Sequence, residues 1–274
     1  MKVMITGGFG FVGSHLAESL LKNNHDLIVL TNNDSKRSNV SSIESQIKTE
    51  YVDVTKFDLL DKIIRRHKPE VIFHLAGQTS HKKSFENPMY DVESNAKSTL
   101  SILETIRKAK LDCRFILGST FIVIGKPTKL PVDEKSPCHP TTIYGTNRLS
   151  SEHYCKIYHN VFGLDTITFR ITNSFGPREQ VIKDKNAINF LIHQAFKKQN
   201  ITIFNEGKFF RDIIYISDVV SGLKKLMRKG KSGELYWISS GKRTWFHQLG
   251  KWIEELTDAK VEYVKPPVYT KKVD

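Results

Sequence analysis

The sequence predicts an α/β fold, a doubly wound parallel sheet with a smaller, interleaved C-terminal substrate lobe. Three observations carry that expectation. Through the first two-thirds of the chain, short apolar runs alternate with segments of helical spacing. A glycine-spaced loop, Gly7-x-x-Gly10-x-x-Gly13, joins the first apolar run to the first helical segment. After about residue 175 the texture changes to loop-like stretches, "GPREQ", "NEGKFFRD" and "SSGKRT", with short elements between them. The expected division is therefore 1–175 for the sheet domain and 176–274 for the lobe.

Taken in order, "KVMIT" is a short buried-strand pattern, and residues 13–23 follow with helical spacing. "DLIVL" is a second strand and "IKTEYVDV" a third, with "DLLDKIIRRH" an amphipathic helix after it. "EVIFHLA" is bounded by Pro69 and Gly77 and reads as a strand. Residues 91–110 read as one long amphipathic helix closing in a Lys/Arg-rich turn. "CRFILGS" and "DTITFRI" are further strands. Between them a helix begins near Tyr144 and runs to about Phe162, with Gly163 placed as a C-cap glycine.

Composition narrows the class. Hydrophobic residues make up 39% of the 274, enough for a buried core, and no apolar run approaches a membrane span. The N-terminus enters a strand directly, without a signal-peptide h-region, so a cytoplasmic location is expected. Cys113, Cys138 and Cys155 are odd in number and lack metal-ligand spacing, so neither a disulfide framework nor a metal site is expected. The net charge of +13 suits a phosphate-bearing small ligand. The lysines are scattered rather than gathered in one arm, which argues against a nucleic-acid site.

The glycine loop carries the first chemistry. Gly7 permits a tight turn, Gly10 lets backbone approach a pyrophosphate, and Gly13 permits close helix–strand packing. The helix N-terminus at Phe11 and Val12 then faces the phosphate charge. The second strand ends in Thr31 and Asn32 rather than in an acid, with Asp34, Lys36 and Arg37 just beyond. NAD and NADP both stay open on these residues, leaning to NAD. Asp53 is a candidate for the adenine amino group or, equally, for a helix cap.

"IYGTNRLSSE" places Tyr144 and Arg148 four residues apart, on one face of a helix. A phenol is a poor base at neutral pH unless a cation stabilises its phenolate. A guanidinium supplies permanent charge, though in a planar fork unlike an ammonium.

Eight elements occur in order: the glycine loop 7–13, "DV" at 53–54, "HLAG" at 74–77, Asn95, "GSTFIVIG" at 118–125, "YGTNR", "RITNSFGPR" at 170–178 and "RDIIYISDV" at 211–219. Together they resemble the extended short-chain dehydrogenase/reductase family, in its sugar-nucleotide epimerase and dehydratase group, over nearly the whole chain. The resemblance implies a Rossmann domain binding NAD or NADP through Gly7, Gly10, Phe11, Val12, Gly13, Thr31, Asn32, Asp53, Val54, Leu75, Ala76, Gly77, Asn95, Tyr144 and Arg148. It implies Tyr144 as acid/base and Thr120 as the hydroxyl that meets the sugar oxygen, with adjacent Ser119 able to substitute. The family's cation at position 148 is lysine; this chain has Arg148.

Dehydratases of this group carry acids just after the Ser/Thr position. Phe121 and Ile122 stand there and relay no protons, which disfavours dehydration. The implied activity is epimerisation through a transient keto sugar, in a surface-polysaccharide or glycan-precursor pathway. An NADPH-dependent reductase and a non-catalytic dinucleotide-binding protein remain alternatives. For a nucleotide-sugar substrate, Arg178 and Arg211 would hold the pyrophosphate, with Asn173 near the phosphate. Asn189 and Phe204 would contact base or ribose, and Gln78 and Ser80 the sugar. His74 reads as a packed core histidine. Family members usually continue past the position of Asp274, so a minimal or shortened lobe is expected. The helices near 91–110 and 145–162 lie where family members dimerise, so a homodimer is expected, with their own sheet as the competing partner for their apolar stripes.

Overall fold

The computed structural model describes residues 1–181, 187–197 and 199–265. In chain order the first elements are β1 (Lys2–Thr6), α1 (Phe11–Leu21), β2 (Asp26–Thr31), β3 (Lys48–Tyr51), α2 (Phe57–His67), β4 (Val71–His74), α3 (His81–Glu86) and α4 (Pro88–Asp91). A π-helical turn, Val92–Lys97, leads into α5 (Ser98–Lys108), then β5 (Arg114–Thr120), α6 (Ile143–Phe162), β6 (Thr166–Ile171) and β7 (Asn173–Phe175). There follow α7 (Ala187–Phe196), β8 (Ile201–Phe204), β9 (Phe210–Arg211), β10 (Ile213–Tyr215), α8 (Ile216–Lys229), β11 (Leu235–Ile238), β12 (Thr244–Trp245), α9 (Phe246–Leu256) and β13 (Val261–Val264).

These elements form two compact units, Met1–Ile171 with Ser217–Ile238, and Thr172–Ile216 with Ser239–Asp274. The first holds a seven-stranded sheet in the order β11-β6-β5-β4-β1-β2-β3. Every pairing in it is parallel, which makes it a Rossmann sheet. Its central strands are buried on both faces, so they read in the sequence as continuous apolar runs rather than alternating ones. Leu60, Ile63 and Ile64 of α2 and Ile102, Leu103 and Ile106 of α5 share a core with Met4, Ile28, Ile72 and Phe115. Strand order reverses between β1 and β4, and ligands of such sheets bind at that switch point, outside the carboxyl ends of the strands.

The unit boundary falls after Ile171 rather than at 175, because Asn173–Phe175 pairs with Ile213–Tyr215 and leaves the main sheet. Residues 217–238 return to the first unit, where Leu235–Ile238 pairs with β6 as the seventh strand. The second unit has its own core of Ile188, Leu191, Ile201, Ile203, Phe246, Leu249 and Ile253. Within it β13 pairs with β8 in parallel and β12 with β9 antiparallel. The part of the lobe beyond residue 265 lies outside the described residues.

Two helices differ from the sequence reading. The first helix starts at Phe11, two residues earlier than its periodicity marks, because Gly10 serves as its N-cap. The helix read as 91–110 begins at Pro88, which suits a first helical position, and is interrupted by the π-turn at Val92–Lys97. By contrast α6 is a single 20-residue helix from Ile143 to Phe162, and Gly163 closes it at φ +70°.

Candidate active site

The site begins where β1 ends. Gly7 turns the chain at φ +69°, and a Cβ there would lie 3.0 Å from the backbone of Ala76. A Cβ at Gly13 would lie 2.5 Å from the Gly7 carbonyl oxygen. Gly10 N–H donates to that same oxygen at 2.9 Å, and α1 starts at the next residue. The backbone is therefore drawn tight around a concavity at a helix N-terminus, with no side chain on Gly7, Gly10 or Gly13 to fill it. Phe11 and Val12 form the first turn of α1, which carries no acid to oppose an anion. This geometry fits the diphosphate of a dinucleotide.

The rim residues follow. Thr31, buried at the end of β2, donates its hydroxyl to Asn33 O at 2.9 Å, and Asn32 accepts from the Asn33 amide at 2.8 Å. Asp34 accepts from the Tyr51 hydroxyl at 2.6 Å. Arg37 is ion-paired with Glu44 and stands 4.0 Å from Asp34, so its charge is answered within the chain. Asp53 Oδ1 accepts from Thr55 N and Oγ1 at 2.9 and 2.8 Å, and its Oδ2 from the Tyr90 hydroxyl at 3.4 Å. The N-cap of α2 is Lys56, so Asp53 closes the turn before the helix rather than capping it. Val54 is buried in the core, and Ala76 packs partly buried against it.

Leu75, Ala76 and Gly77 follow β4 across the switch point. A Cβ at Gly77 would stand 2.3 Å from Asn95 Oδ1 and 2.4 Å from Arg148 Nη2. Arg148 is 3% exposed, so it is no surface cation. Its guanidinium donates to Gly118 O at 3.0 Å and Ala76 O at 3.3 Å, clamping it to the carboxyl ends of β5 and β4. Its Cζ lies 5.8 Å from the centre of the Tyr144 ring. Tyr144, 7% exposed, sits in the first turn of α6, which Thr142 caps by accepting from Gly145 N. Among the described residues nothing hydrogen-bonds the Tyr144 hydroxyl, which leaves it available to a ligand. Arg148 Nε and Asn95 Oδ1 are buried without hydrogen-bond partners, a polar shortage beside the same spot.

The two hydroxyls at the end of β5 differ. Ser119 donates to Glu152 at 2.5 Å, and Glu152 is held by Arg170 Nε and Nη2 at 3.0 and 2.7 Å. Thr120 accepts from Ile122 N at 3.3 Å, and its own hydrogen is uncommitted among the described residues. Phe121 and Ile122 form the short helix that follows.

A buried polar chain fixes this geometry. Asn95 donates to Gln78 O at 3.0 Å, Gln78 Nε2 to Asp91 at 2.8 Å and to Ser80 O at 2.7 Å, and Asn147 to Asp91 at 2.7 Å. Gln78 is thus committed to the scaffold, and Ser80 caps α3. Ser98 donates to Ser94 O, so its oxygen accepts from His74 Nε2–H at 3.1 Å. His74 Nδ1 then accepts from the Thr6 hydroxyl at 2.8 Å, and Thr6 in turn accepts from Ala76 N at 3.1 Å. Complete burial, reinforced by the Arg148 charge, pushes the imidazole down to about 3, so His74 is a neutral core strut. Cys113 and Cys155 are buried thiols, and burial pushes Cys113 up to about 12. Among the described residues no His/Cys/Asp/Glu group is arranged to hold a metal, and no helix is long and apolar enough to cross a membrane.

In the second unit, Asn173 N and Nδ2 both donate to Asp212 O, at 3.2 and 3.0 Å. Asn189 brackets the peptide of Gly176, donating to its carbonyl at 3.0 Å and accepting from its N–H at 3.3 Å. Both amides are loop fasteners here. Arg178 takes a left-handed backbone conformation, φ +68°. Arg211 is exposed, donates to Phe210 O and lies over the Phe209 ring at 5.7 Å. The Asp212 carboxylate accepts from Thr172, Ser240 and Gly241, binding residues 240–241 to the start of β7. Phe204 is 37% exposed on β8.

Sequence reasoning missed Asp91, Asn147, Glu152 and Arg170. Their signal is polar character on a buried stripe: Asp91 precedes Asn95 by four residues, and Arg148 precedes Glu152 by four.

A glycine cradle at the switch point of a parallel sheet places the chain among the dinucleotide-binding α/β proteins. Residues 3–239 match the NAD dependent epimerase/dehydratase family, and the chain belongs to it. It is 34% identical over 247 residues to a putative UDP-glucose 4-epimerase of Methanocaldococcus jannaschii, covering 90% of this chain and 79% of that one. It is similar to the crystal structure of UDP-glucose 4-epimerase from Thermotoga maritima with UDP-glucose, at a TM-score of 0.90 and 29% identity, covering 98% and 87% of the two chains. A third likeness is the UDP-glucuronic acid 4-epimerase of Bacillus cereus in complex with UDP-glucuronic acid and NAD, with TM-score 0.86, 29% identity, and 97% and 86% covered.

Proposed function

We propose that this protein is an NAD-dependent sugar-nucleotide epimerase in which Tyr144 is the acid/base and Arg148 its cation. One observation carries the reading: a buried tyrosine with an uncommitted hydroxyl stands beside a guanidinium that main-chain carbonyls clamp at the switch point. Gly7, Gly10 and Gly13 with the first turn of α1 hold the diphosphate of NAD. Thr31, Asn32, Asp53 and Val54 border the adenosine end, and Leu75, Ala76, Gly77 and Asn95 the nicotinamide end. When bound, NAD supplies a reversible hydride acceptor. Tyr144 takes the proton of a sugar hydroxyl as that carbon is oxidised and returns it after the keto sugar has turned. Thr120 orients the same oxygen. The Arg148 guanidinium balances the charge of the phenolate. Pairing of Arg37 with Glu44 and Asp34 favours NAD over NADP, since no unanswered arginine awaits a 2′-phosphate there.

The substrate is a nucleoside-diphosphate sugar, in keeping with the sugar nucleotides named for the relatives. Within the second unit, Arg211 is an exposed cation and Phe204 an exposed aromatic, side chains of the kinds that meet a pyrophosphate and a base. The test is turnover of a panel of UDP-, CDP- and dTDP-sugars by the wild type and by Arg148→Lys. Conversion of one sugar to its epimer without net change in NAD is expected in both. Stoichiometric NAD binding with no conversion in either form would remove the catalytic reading.

A further inference from the structure

His81, at the first position of α3, packs its imidazole against the Tyr144 ring, centroids 5.7 Å apart and planes at 84°. That is an edge-to-face aromatic pair. His81 is half-buried, and among the described residues its ring nitrogens make no hydrogen bond. Arg148 approaches the same tyrosine at 5.8 Å, but its guanidinium is fixed by the carbonyls of Ala76 and Gly118, not by the phenol. The Tyr144 ring therefore has two neighbours of different kinds: a guanidinium held by the sheet and an imidazole that can titrate.

We propose that His81 is the positioning residue for Tyr144, its ring contact setting the orientation of the phenol, and that protonating His81 shifts the phenol from that orientation. The inference rests on the reading of Tyr144 as acid/base. The charges around His81 decide the sign. From α4, Asp91 faces it and favours the imidazolium, but that carboxylate already accepts from Gln78 and Asn147. From α6 come Tyr144 and, behind it, the Arg148 cation. On its own helix Lys82 is exposed and paired with Glu86, and Lys83 is exposed as well. Burial outweighs Asp91 and lowers the imidazole from its ordinary value, which favours the neutral ring. In acid an imidazolium would put a charge against the Tyr144 ring and so alter the edge-to-face contact.

The experiment compares wild type, His81→Ala and His81→Phe in kcat, KM and pH dependence. His81→Ala should lower kcat by about tenfold to a hundredfold with KM little changed, as expected for a misplaced reacting group. His81→Phe, which keeps an aromatic edge and cannot be protonated, should recover most of that loss. It should also shift the acid limb of kcat to lower pH. An acid limb identical in wild type and His81→Phe, or an undiminished kcat in His81→Ala, overturns the proposal. Carbon-13 NMR of Tyr144 Cζ, assigned by its absence in Tyr144→Phe, gives a readout independent of turnover. The wild-type resonance should shift as His81 protonates, and that shift should vanish in His81→Phe. A missing shift in the wild type overturns the pairing, whereas a clear shift in a protein without turnover leaves the pairing intact and removes only the epimerase reading.

Discussion

At the residue scale, His74 shows how a titratable side chain serves the site by staying neutral. Its two nitrogens join Thr6 to Ser98, and Thr6 holds the Ala76 amide, whose carbonyl holds Arg148. Its folded value of about 3 lies far below the ordinary 6.5, so the unfolded chain binds a proton that the native one refuses. Stability from this residue is therefore complete above pH 6.5 and lost as pH falls toward 3. His74→Phe, which cannot titrate, should be less stable than wild type at pH 7 by about 1–3 kcal/mol, for the partners left unpaired. On lowering the pH to 5, that gap should close by about 2 kcal/mol. Urea unfolding at the two pH values measures it; a pH-independent gap would mean that His74 is not neutral in the native state. The sequence allowed His74 to be read as a core residue, since it closes an apolar strand. The hydrogen-bond chain it completes was not legible, because its members are separated by up to 92 residues (Thr6 to Ser98) and no local pattern joins them.

At the element scale, α1 and the helical segment at 91–110 make opposite points. The glycine spacing was legible because tight backbone approach leaves only one residue type possible at each close contact. Gly13→Ala would put a methyl 2.5 Å from the Gly7 carbonyl, and backbone lies on both sides of that contact. The start of α1 must then move off the loop, at about 1–3 kcal/mol. NAD affinity should fall by at least about tenfold as the cradle widens. Calorimetric titration together with a thermal melt checks both, and unchanged affinity would place the dinucleotide elsewhere. The segment at 91–110 was legible as helix but not as a helix with a π-turn. One widened turn at Val92–Lys97 leaves the apolar stripe of α5 in place while re-aiming Asn95 toward Gln78 and Gly77. Periodicity reports which face is buried; it does not report a single added residue in a turn. The first turn of α6 was legible from Tyr144 and Arg148, yet the two hydroxyls at 119 and 120 were distinguishable only after Glu152 and Arg170 were seen to engage Ser119.

At the scale of the whole molecule, α6 inverts the ordinary rule for a surface helix. Its sheet-facing stripe is polar along half its length, with Asn147, Arg148, Ser151 and Glu152 all buried. Its outer face carries Ile157 and Val161, 50% and 66% exposed and one turn apart. The alternative weighed from sequence, that the apolar stripe packs on the helix's own sheet, does not account for these two residues. Cys155 and Tyr158 of α6 do pack into the core of the first unit, whereas Ile157 and Val161 lie on the opposite, exposed face. We propose that this face packs on the same face of a second copy, which a two-fold axis would satisfy with no new chemistry. Sedimentation of the wild type at micromolar concentration should then show a dimer. Ile157→Glu with Val161→Glu would place four like charges at the centre of the contact and give a monomer. Because neither side chain touches the buried face, the monomer should still bind NAD. A wild type that sediments as a monomer removes the assembly, and a double variant that stays dimeric moves the contact to another face.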